Sequence, residues 1–549
     1  MNKKRPHIFL LALIFSLLLV PGRAQNDFEI VKNADIFISV LRELNAKYAD
    51  EISPGTLTKT AIDAMLGSLD PYTIYYPESQ LEDFKIMTTG QYGGVGAVIQ
   101  SYGKDVVFAE IFEGSPAAEA GLWAGDKIVK INNQMVLDRL PDEVNTYLKG
   151  EPGTKLTIEV ERPSTGKREV FKVTRSEIKF PNIPYSGMLD QNIGYIKLDQ
   201  FIEKSGSEVK DAFIKMKGEG MKYLILDLRN NGGGLMNEAI NIMNIFVDKN
   251  VTITQTKGKL KEQTMSFNTQ NSVIDKNIPV VVLVNEMSAS ASEIVAGAFQ
   301  DLDRGVIIGK KTFGKGLVQN ILPLSYNSSL KITISKYYIP SGRCVQNIDY
   351  FSSDTNALRV HIPDSLAVGF KTKNGRTVYD KGGIEPDIIM SDSMVSPVLF
   401  SLVYHNLIFD FANKYHAEHP EITTADKFEV TDALYNEFIA FIKDKNYNYT
   451  TPSEMVLKDL KEVAQSEGHF KAIEKEITAL ENRLKSEKDQ DIITFKKEIA
   501  NYLAGEIVVR YYYQKGKIMN ALSYDEDIME AKKVLLNSSK YKSILSGKK

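Results

Sequence analysis

The residues best placed to do chemistry lie between Ser288 and Gln319. Three hydroxyls alternate with alanines in Ser288-Ala289-Ser290-Ala291-Ser292, one amine (Lys315) stands between Gly314 and Gly316, and Gln319 follows four residues later. A serine is a poor nucleophile until a base takes its proton. The six histidines are His7, His361, His405, His416, His419 and His469, none of them between Asn182 and Tyr350, so a Ser-His-Asp triad would need His361 or a base from elsewhere. Lys315 is the alternative base. A free lysine titrates near ~10.4, but apolar surroundings without a carboxylate partner disfavour the ammonium and lower that by up to ~3–5 units. Phe313, Leu317 and Val318 bring no countercharge. A neutral amine beside the hydroxyl could take its proton and return it to a leaving amine, and the Gln319 amide oxygen could orient that amine. Plainer uses stand beside these. Ser290-Ala291-Ser292-Glu293 fits an S-x-x-E capping box, with Ser288 as a substitute cap, and a lone lysine between glycines is commonly a solvated loop residue.

These groups need elements to hold them. The apolar run from Ile278 to Val284 predicts a buried strand ending at Asn285. A helical pattern follows through Ile294, Ala298 and Leu302, then a short strand at Val306 to Ile308 and a glycine-punctuated loop. The hydroxyls therefore sit where a strand gives way to a helix, where free N–H groups can stabilise an oxyanion. Upstream, Tyr195-Ile196-Lys197-Leu198 and Tyr223-Leu224-Ile225-Leu226-Asp227 read as strands, the second running into Asn230-Asn231-Gly232-Gly233-Gly234, whose bare amides approach the strand's C-terminal edge. Residues 182–391 thus read as alternating strands and helices.

Several look-alikes fail. Gly309 to Lys315 matches G-x-x-x-x-G-K, but Gly316 stands where a magnesium-binding Ser or Thr is needed. The segment from Asp444 lacks the glycine and the glutamate of a calcium loop, at Tyr449 and Met455. His416 and His419 have no third ligand at metal spacing. A single cysteine, Cys344, excludes an internal disulfide framework, and a net charge of −3 argues against nucleic acid as a partner. Lys3, Lys4 and Arg5 precede an apolar run from Ile8 to Val20, too short to span a bilayer, with small residues at Gly22 and Ala24. This predicts an export leader over 1–24, hence a periplasmic protein, tethered to the membrane if the leader is retained.

The 549 residues predict several domains. Residues 25–87 have helical spacing broken at Pro54 and Pro71. Residues 88–178 show short strands and glycine turns, and Ser115-Pro116-Ala117-Ala118-Glu119-Ala120-Gly121-Leu122 followed by Gly125-Asp126-Lys127-Ile128 resembles a protease-linked PDZ domain. There Gly93, Gly94, Val95 and Gly96 would bind a peptide carboxylate through bare backbone amides, the peptide adding as a strand beside Gly96 to Ile99. From 392 to 549 glycine nearly vanishes and helices dominate. Ile473, Ile477, Leu480 and Leu484 mark a surface helix, and Tyr502 to Met519 a core or interface helix.

Taken together, SASASEIVAGAFQD, GKKTFGKGLVQ, DLRNNGGG, YYIPSGR, GGIEPD and the early LDPYT resemble the tail-specific, or C-terminal processing, peptidases over roughly residues 30–390. The resemblance implies a crotonase-like αβ protease core at 179–391 with the PDZ domain ahead of it. It implies Ser290 as nucleophile, Lys315 as base and Gln319 as its assistant, with backbone amides of Gly233 (or Gly234) and Ala291 as oxyanion hole. It also implies no cofactor or metal, and protein or peptide substrates with a free C-terminus. A peptide-binding scaffold on an inactive protease fold is the competing reading. Three departures stand out: Glu286-Met287 where glycine commonly precedes the first serine, Gly232 for proline, and Cys344 for a small hydroxyl residue. Of these, Glu286 could alter the lysine's surroundings. The helical region after 391 lies outside the shared core, and its role stays open between lid, dimer contact and adaptor docking.

Overall fold

A computed structural model of the chain describes residues 21–80, 89–350 (except 164 and 191), 360–361, 365, 367–391 (except 381), 395–488 and 490–547. The leader expectation falls mostly on residues 1–20, outside the described residues. The chain divides into two units, residues 1–77 with 321–333, and residues 78–320 with 334–549.

In the first unit, α1 (Pro21–Lys47) and α2 (Pro54–Gly67) are the expected helices. Ser53 caps α2 and Pro54 opens it, where proline's missing N–H costs nothing. Asp70 accepts from the amides of Tyr72 and Thr73 at 2.8 and 2.9 Å, so the LDPYT segment forms a tight turn. It feeds a strand that helical spacing did not foretell, β1 (Ile74–Tyr76), which pairs antiparallel with Ser329, Leu330 and Lys331.

The second unit opens with β2 (Gln91–Gly94), β3 (Ala97–Tyr102), β4 (Asp105–Ile111), α3 (Pro116–Ala120), β5 (Lys127–Ile131), β6 (Gln134–Met135), α4 (Pro141–Leu148), β7 (Lys155–Glu161), β8 (Arg168–Thr174) and β9 (Ser176–Lys179). Among the described residues, strand order β3-β4-β5-β7-β8 leaves β3 with one unpaired edge, beside α4. Alternation buries Leu156, Ile158 and Val160 of β7 against Val106, Phe108, Ile128 and Val144. Gly93 and Gly94 lie in β2, paired with Glu177 and Ser176 of β9, so only Val95 and Gly96 form the turn into β3.

The core that follows is a six-stranded sheet. β10 (Tyr185–Met188), β11 (Ile193–Lys197), β12 (Tyr223–Asp227), β15 (Val280–Val284), β16 (Val306–Gly309) and β19 (Ile388–Ile389) lie in that order, all parallel except β10. In sequence β13 (Thr252–Gly258) and β14 (Met265–Asn268) precede β15, while β17 (Leu317–Pro323) and β18 (Ser329–Tyr338) follow β16. Strands buried on both faces must be apolar throughout, which is why Val280 to Val284 shows no alternation. On one face Leu224, Leu226, Val282 and Val284 pack against α5 (Ser205–Gly218), α6 (Met236–Met243) and α7 (Ala291–Asp301) through Phe213, Met243 and Phe299.

The opposite face, Ile225, Val281, Leu283 and Ile308, is covered from far along the chain. The helical region comprises α8 (Pro397–Tyr404), α9 (Leu407–Glu418), α10 (Asp432–Ile442), α11 (Pro452–Ser466), α12 (Phe470–Lys488), α13 (Lys496–Ala521), α14 (Glu526–Leu536) and α15 (Ser538–Ser546), with a short helix at Asp491–Thr494. Ile528, Ala531, Val534, Leu535 and Tyr541 of α14 and α15 supply that second layer. The rest has its own core, in which Leu503, Ile507 and Val508 of α13 meet Phe411 and Phe438. The surface helix expected over Ile473 to Leu484 is α12, with Ile477 buried and Leu480 exposed. The helical region also grips the PDZ domain. The Tyr102 hydroxyl donates to Asp410 at 3.0 Å, Gln514 donates to Glu110 at 3.0 Å, and the Trp123 ring meets His416 edge-on.

Candidate active site

Ser290 occupies the turn between β15 and α7 with φ 56° and ψ −112°. A side chain with positive φ is strained, and such strain gathers where a fold over-determines a functional residue. The surroundings hold it there. The Ser290 carbonyl accepts from the Tyr337 hydroxyl at 3.2 Å and the Ile294 amide at 2.9 Å, while its own amide donates to Glu293 Oε2 at 2.9 Å. Thus Glu293 makes its half of the capping box, whereas Ser290 Oγ makes no cap bond.

The three serines separate cleanly. Ser288 Oγ donates to the Leu228 carbonyl at 2.8 Å and accepts from the Asn285 amide, and Ser292 Oγ donates to the Asn231 carbonyl at 2.8 Å; both are fully buried. These two hydroxyls stitch the Ser290 turn to the loop after β12. Ser290, part-exposed, has an Oγ without a hydrogen-bond partner among the described residues.

Lys315 lies in the loop between β16 and β17. The Thr312 hydroxyl and the Gly314 amide donate to Glu293 Oε1 at 2.6 and 2.7 Å, and the Lys315 amide donates to Oε2 at 2.9 Å. One carboxylate oxygen therefore accepts from the amides of both Ser290 and Lys315, so those nitrogens lie no further apart than twice 2.9 Å. Glycines allow the close packing behind them. A Cβ on Gly314 would meet Asn347 Cβ at 2.5 Å, and one on Gly383, in the GGIEPD segment, would meet the Thr312 carbonyl at 2.3 Å. The same bonds dispose of the phosphate-loop look-alike, because the amides that would cradle an anion already hold Glu293. Gln319 lies part-buried in β17, four residues beyond Lys315.

Sequence reasoning placed Glu293 only in a helix cap. Burial pushes its carboxyl up to about 7, although four converging donors favour the ionised form. The available signal was its isolation, as the one acid in the first ten residues of a wholly buried helix. Glu286, the acid expected to influence the lysine, is instead exposed and pairs with Lys310 at 3.8 Å.

The amides expected to hold an oxyanion lie next to the serine turn. Gly233 faces it so closely that a Cβ there would sit 2.7 Å from Ser290 Cβ and 2.9 Å from the Ala291 nitrogen. Its amide already donates to Asn231 Oδ1 at 2.9 Å. The amides of Gly234 and Ala291 make no hydrogen bond among the described residues; Gly234 is exposed and Ala291 fully buried. At the distant PDZ site, the carbonyls of Val95 and Gly96 accept from Ala117 and Phe112. No group of three or more His, Cys, Asp or Glu among the described residues could hold a metal ion.

Comparison with known proteins adds three family models. Peptidase family S41 matches residues 192–356, a PDZ domain model matches 107–162, and "Probable PDZ-protease, C-terminal helical domain" matches 398–535. A carboxy-terminal-processing protease of Bartonella bacilliformis is 34% identical over 353 residues, spanning 63% of this chain and 81% of that protein. A "Probable CtpA-like serine protease" of Staphylococcus epidermidis is 34% identical over 351 residues, 62% of this chain and 70% of that protein. Among solved structures, the photosystem II D1 C-terminal processing protease is 28% identical, with a TM-score of 0.35 over 65% of this chain and 87% of that one.

Proposed function

The chain belongs to peptidase family S41, and from that premise we propose that it is an exported endopeptidase that cleaves proteins held by their C-terminal tails, with Ser290 and Lys315 as its dyad. That it is a serine protease of the carboxy-terminal-processing type with a PDZ domain follows from its relatives. The observation that carries the dyad is the division of labour at SASAS: two hydroxyls are buried in structural bonds, and the third is uncommitted, strained and tied through Glu293 to the lysine loop.

In this reading the substrate's carboxylate enters at Val95-Gly96 and its tail pairs with the open edge of β3. The paired bonds of Gly93 and Gly94 favour the two later residues as donors. At the core, neutral Lys315 Nζ takes the Ser290 proton as Oγ attacks the scissile carbonyl. The oxyanion is held by amides at Gly233 or Gly234 and at Ala291. Collapse of the tetrahedral intermediate expels the amine, which takes the proton from Nζ, and water repeats the cycle on the acyl-enzyme. Gln319 orients the amine. Substrate binding supplies the closure that brings Oγ to Nζ and opens the Ala291 amide, as catalytic contacts often tighten only in the complex. The leader over 1–24 supports export.

The test uses a peptide with an apolar free C-terminus, its C-terminally amidated twin, and a serine-directed phosphonate. Wild type should cleave the free acid in preference to the amide and carry the phosphonate on Ser290. Ser290→Ala and Lys315→Ala should each abolish turnover. Turnover surviving in both variants refutes the dyad, and an inert wild type favours a peptide-binding scaffold. Export is checked by the mature N-terminus of the periplasmic protein, which should follow Ala24.

A further inference from the structure

The loop that faces Ser290 is anchored from a distant part of the chain. Arg229 stands near the start of that loop, two residues past the end of β12, and its guanidinium is shared between two elements. Toward the sheet, Nε and Nη2 donate to Asp227 at 3.0 and 2.6 Å; Asp227, only 1% exposed, also accepts from the Tyr195 hydroxyl at 2.8 Å. Toward the helical region, Nη1 donates to Asp525 at 3.1 Å and Asp527 at 2.9 Å, and Nη2 lies 2.9 Å from Asp525. Both ends of the planar fork are thus occupied, a geometry lysine could not reproduce. Just past Arg229, Asn230 and Asn231 are tied to the serine side. The Asn230 amide donates to Asn285 Oδ1 at 2.9 Å, and the Asn231 carbonyl accepts from the Ala289 amide at 3.0 Å and Ser292 Oγ at 2.8 Å. Asn231 Oδ1 in turn holds the Gly233 amide.

We propose that Asp525 and Asp527 are positioning residues for peptide hydrolysis, fixing the Arg229 fork and through it the Asn230–Gly234 turn against Ser290. The helical region is therefore part of the catalytic apparatus without touching substrate. This rests on Ser290 being the nucleophile. A turn held only from the sheet side can shift by a fraction of an ångström, and displacements near ~1 Å cost on the order of 10²-fold in rate.

The test is Asp525→Asn with Asp527→Asn in the full chain. Asparagine keeps the cap bond that Asp525 makes to the Ile528 amide at 3.1 Å, so α14 stays capped. The expected result is a fall in kcat of about 10- to 100-fold with KM within about twofold, and an equal fall in phosphonate labelling rate. Tyr541→Phe is the matched control. It removes a hydroxyl that accepts from the Val280 amide at 3.0 Å on the same docked helices, far from Arg229, and should leave kcat and labelling at wild-type values. If circular dichroism shows the double variant unfolded, Asp527→Asn alone carries the test with the same expected direction. Wild-type kcat and labelling in a folded variant would overturn the proposal, as would an equal loss in Tyr541→Phe. A wild-type adduct on another serine would overturn the Ser290 assignment and this proposal with it, whereas a Ser290 adduct formed at unchanged rate overturns this proposal alone.

Discussion

Replacing Glu293 by glutamine tests whether one carboxylate holds the two halves of the site. The side chain is fully buried and accepts four donors: the Thr312 hydroxyl and Gly314 amide on Oε1, and the Ser290 and Lys315 amides on Oε2. Glutamine has nearly the same shape but offers one oxygen and one NH2. With the NH2 at the Oε2 position, two amides would face a donor. With it at the Oε1 position, the Thr312 hydroxyl can rotate to accept, and only the Gly314 amide is orphaned. The second arrangement costs less, so Glu293→Gln should cost about 1–3 kcal/mol, the penalty for one buried unsatisfied amide. Glu293→Ala orphans all three amides and opens a cavity, for about 3–9 kcal/mol, a sum comparable with the whole stability of a domain. Because the cost is local, hydrogen exchange read by mass spectrometry is the suitable assay. In Glu293→Gln, exchange over residues 312–317 should quicken by about 5- to 150-fold while residues 288–294 change little. In Glu293→Ala both segments should open and turnover should vanish. Wild-type exchange and wild-type turnover in the alanine variant would refute the anchoring role.

Two further outcomes follow from the same geometry. The folded-state carboxyl of Glu293 titrates above its ordinary value of 4.5, at about 7, so the unfolded chain releases this proton first and the group's contribution to stability is lost as pH rises between those values. Denaturant titrations should show wild type losing roughly 3 kcal/mol relative to Glu293→Gln across that window. Gly233→Ala places a Cβ 2.7 Å from Ser290 Cβ at a φ of 98°, whereas Gly232→Ala meets nothing within 4 Å, so peptide turnover should fall by on the order of 10²-fold in the first and stay near wild type in the second.

Much of this site is legible in the sequence. Strand β15 announced itself because both its faces are buried, and α7 because its apolar residues recur at helical spacing. The serine tract fell at their junction for the same reasons. What stayed hidden depends on contacts between residues far apart in sequence. Ser290's carbonyl, in its positive-φ turn, is held by the Tyr337 hydroxyl from forty-seven residues away. Glu293 read as a helix cap because the loop it anchors begins nineteen residues later at Thr312. Gly93 and Gly94 read as part of an open carboxylate loop because their pairing partner, β9, lies more than eighty residues away. Strand β1 escaped because three residues carry no period, and its partner comes from the hairpin near Ser329.

The second layer of the central sheet has one more consequence. Among the described residues, Ile225, Val281, Leu283 and Ile308 meet no helix of residues 179–391 on that side; their cover comes from Ile528, Val534 and Tyr541. During synthesis β12, β15 and β16 are made about two to three hundred residues before the helices that seal them. A chain still being translated, or clipped upstream of α14, would display a greasy slab where the mature enzyme has an interior. That face of the sheet is closed only once residues 526–546 have been added.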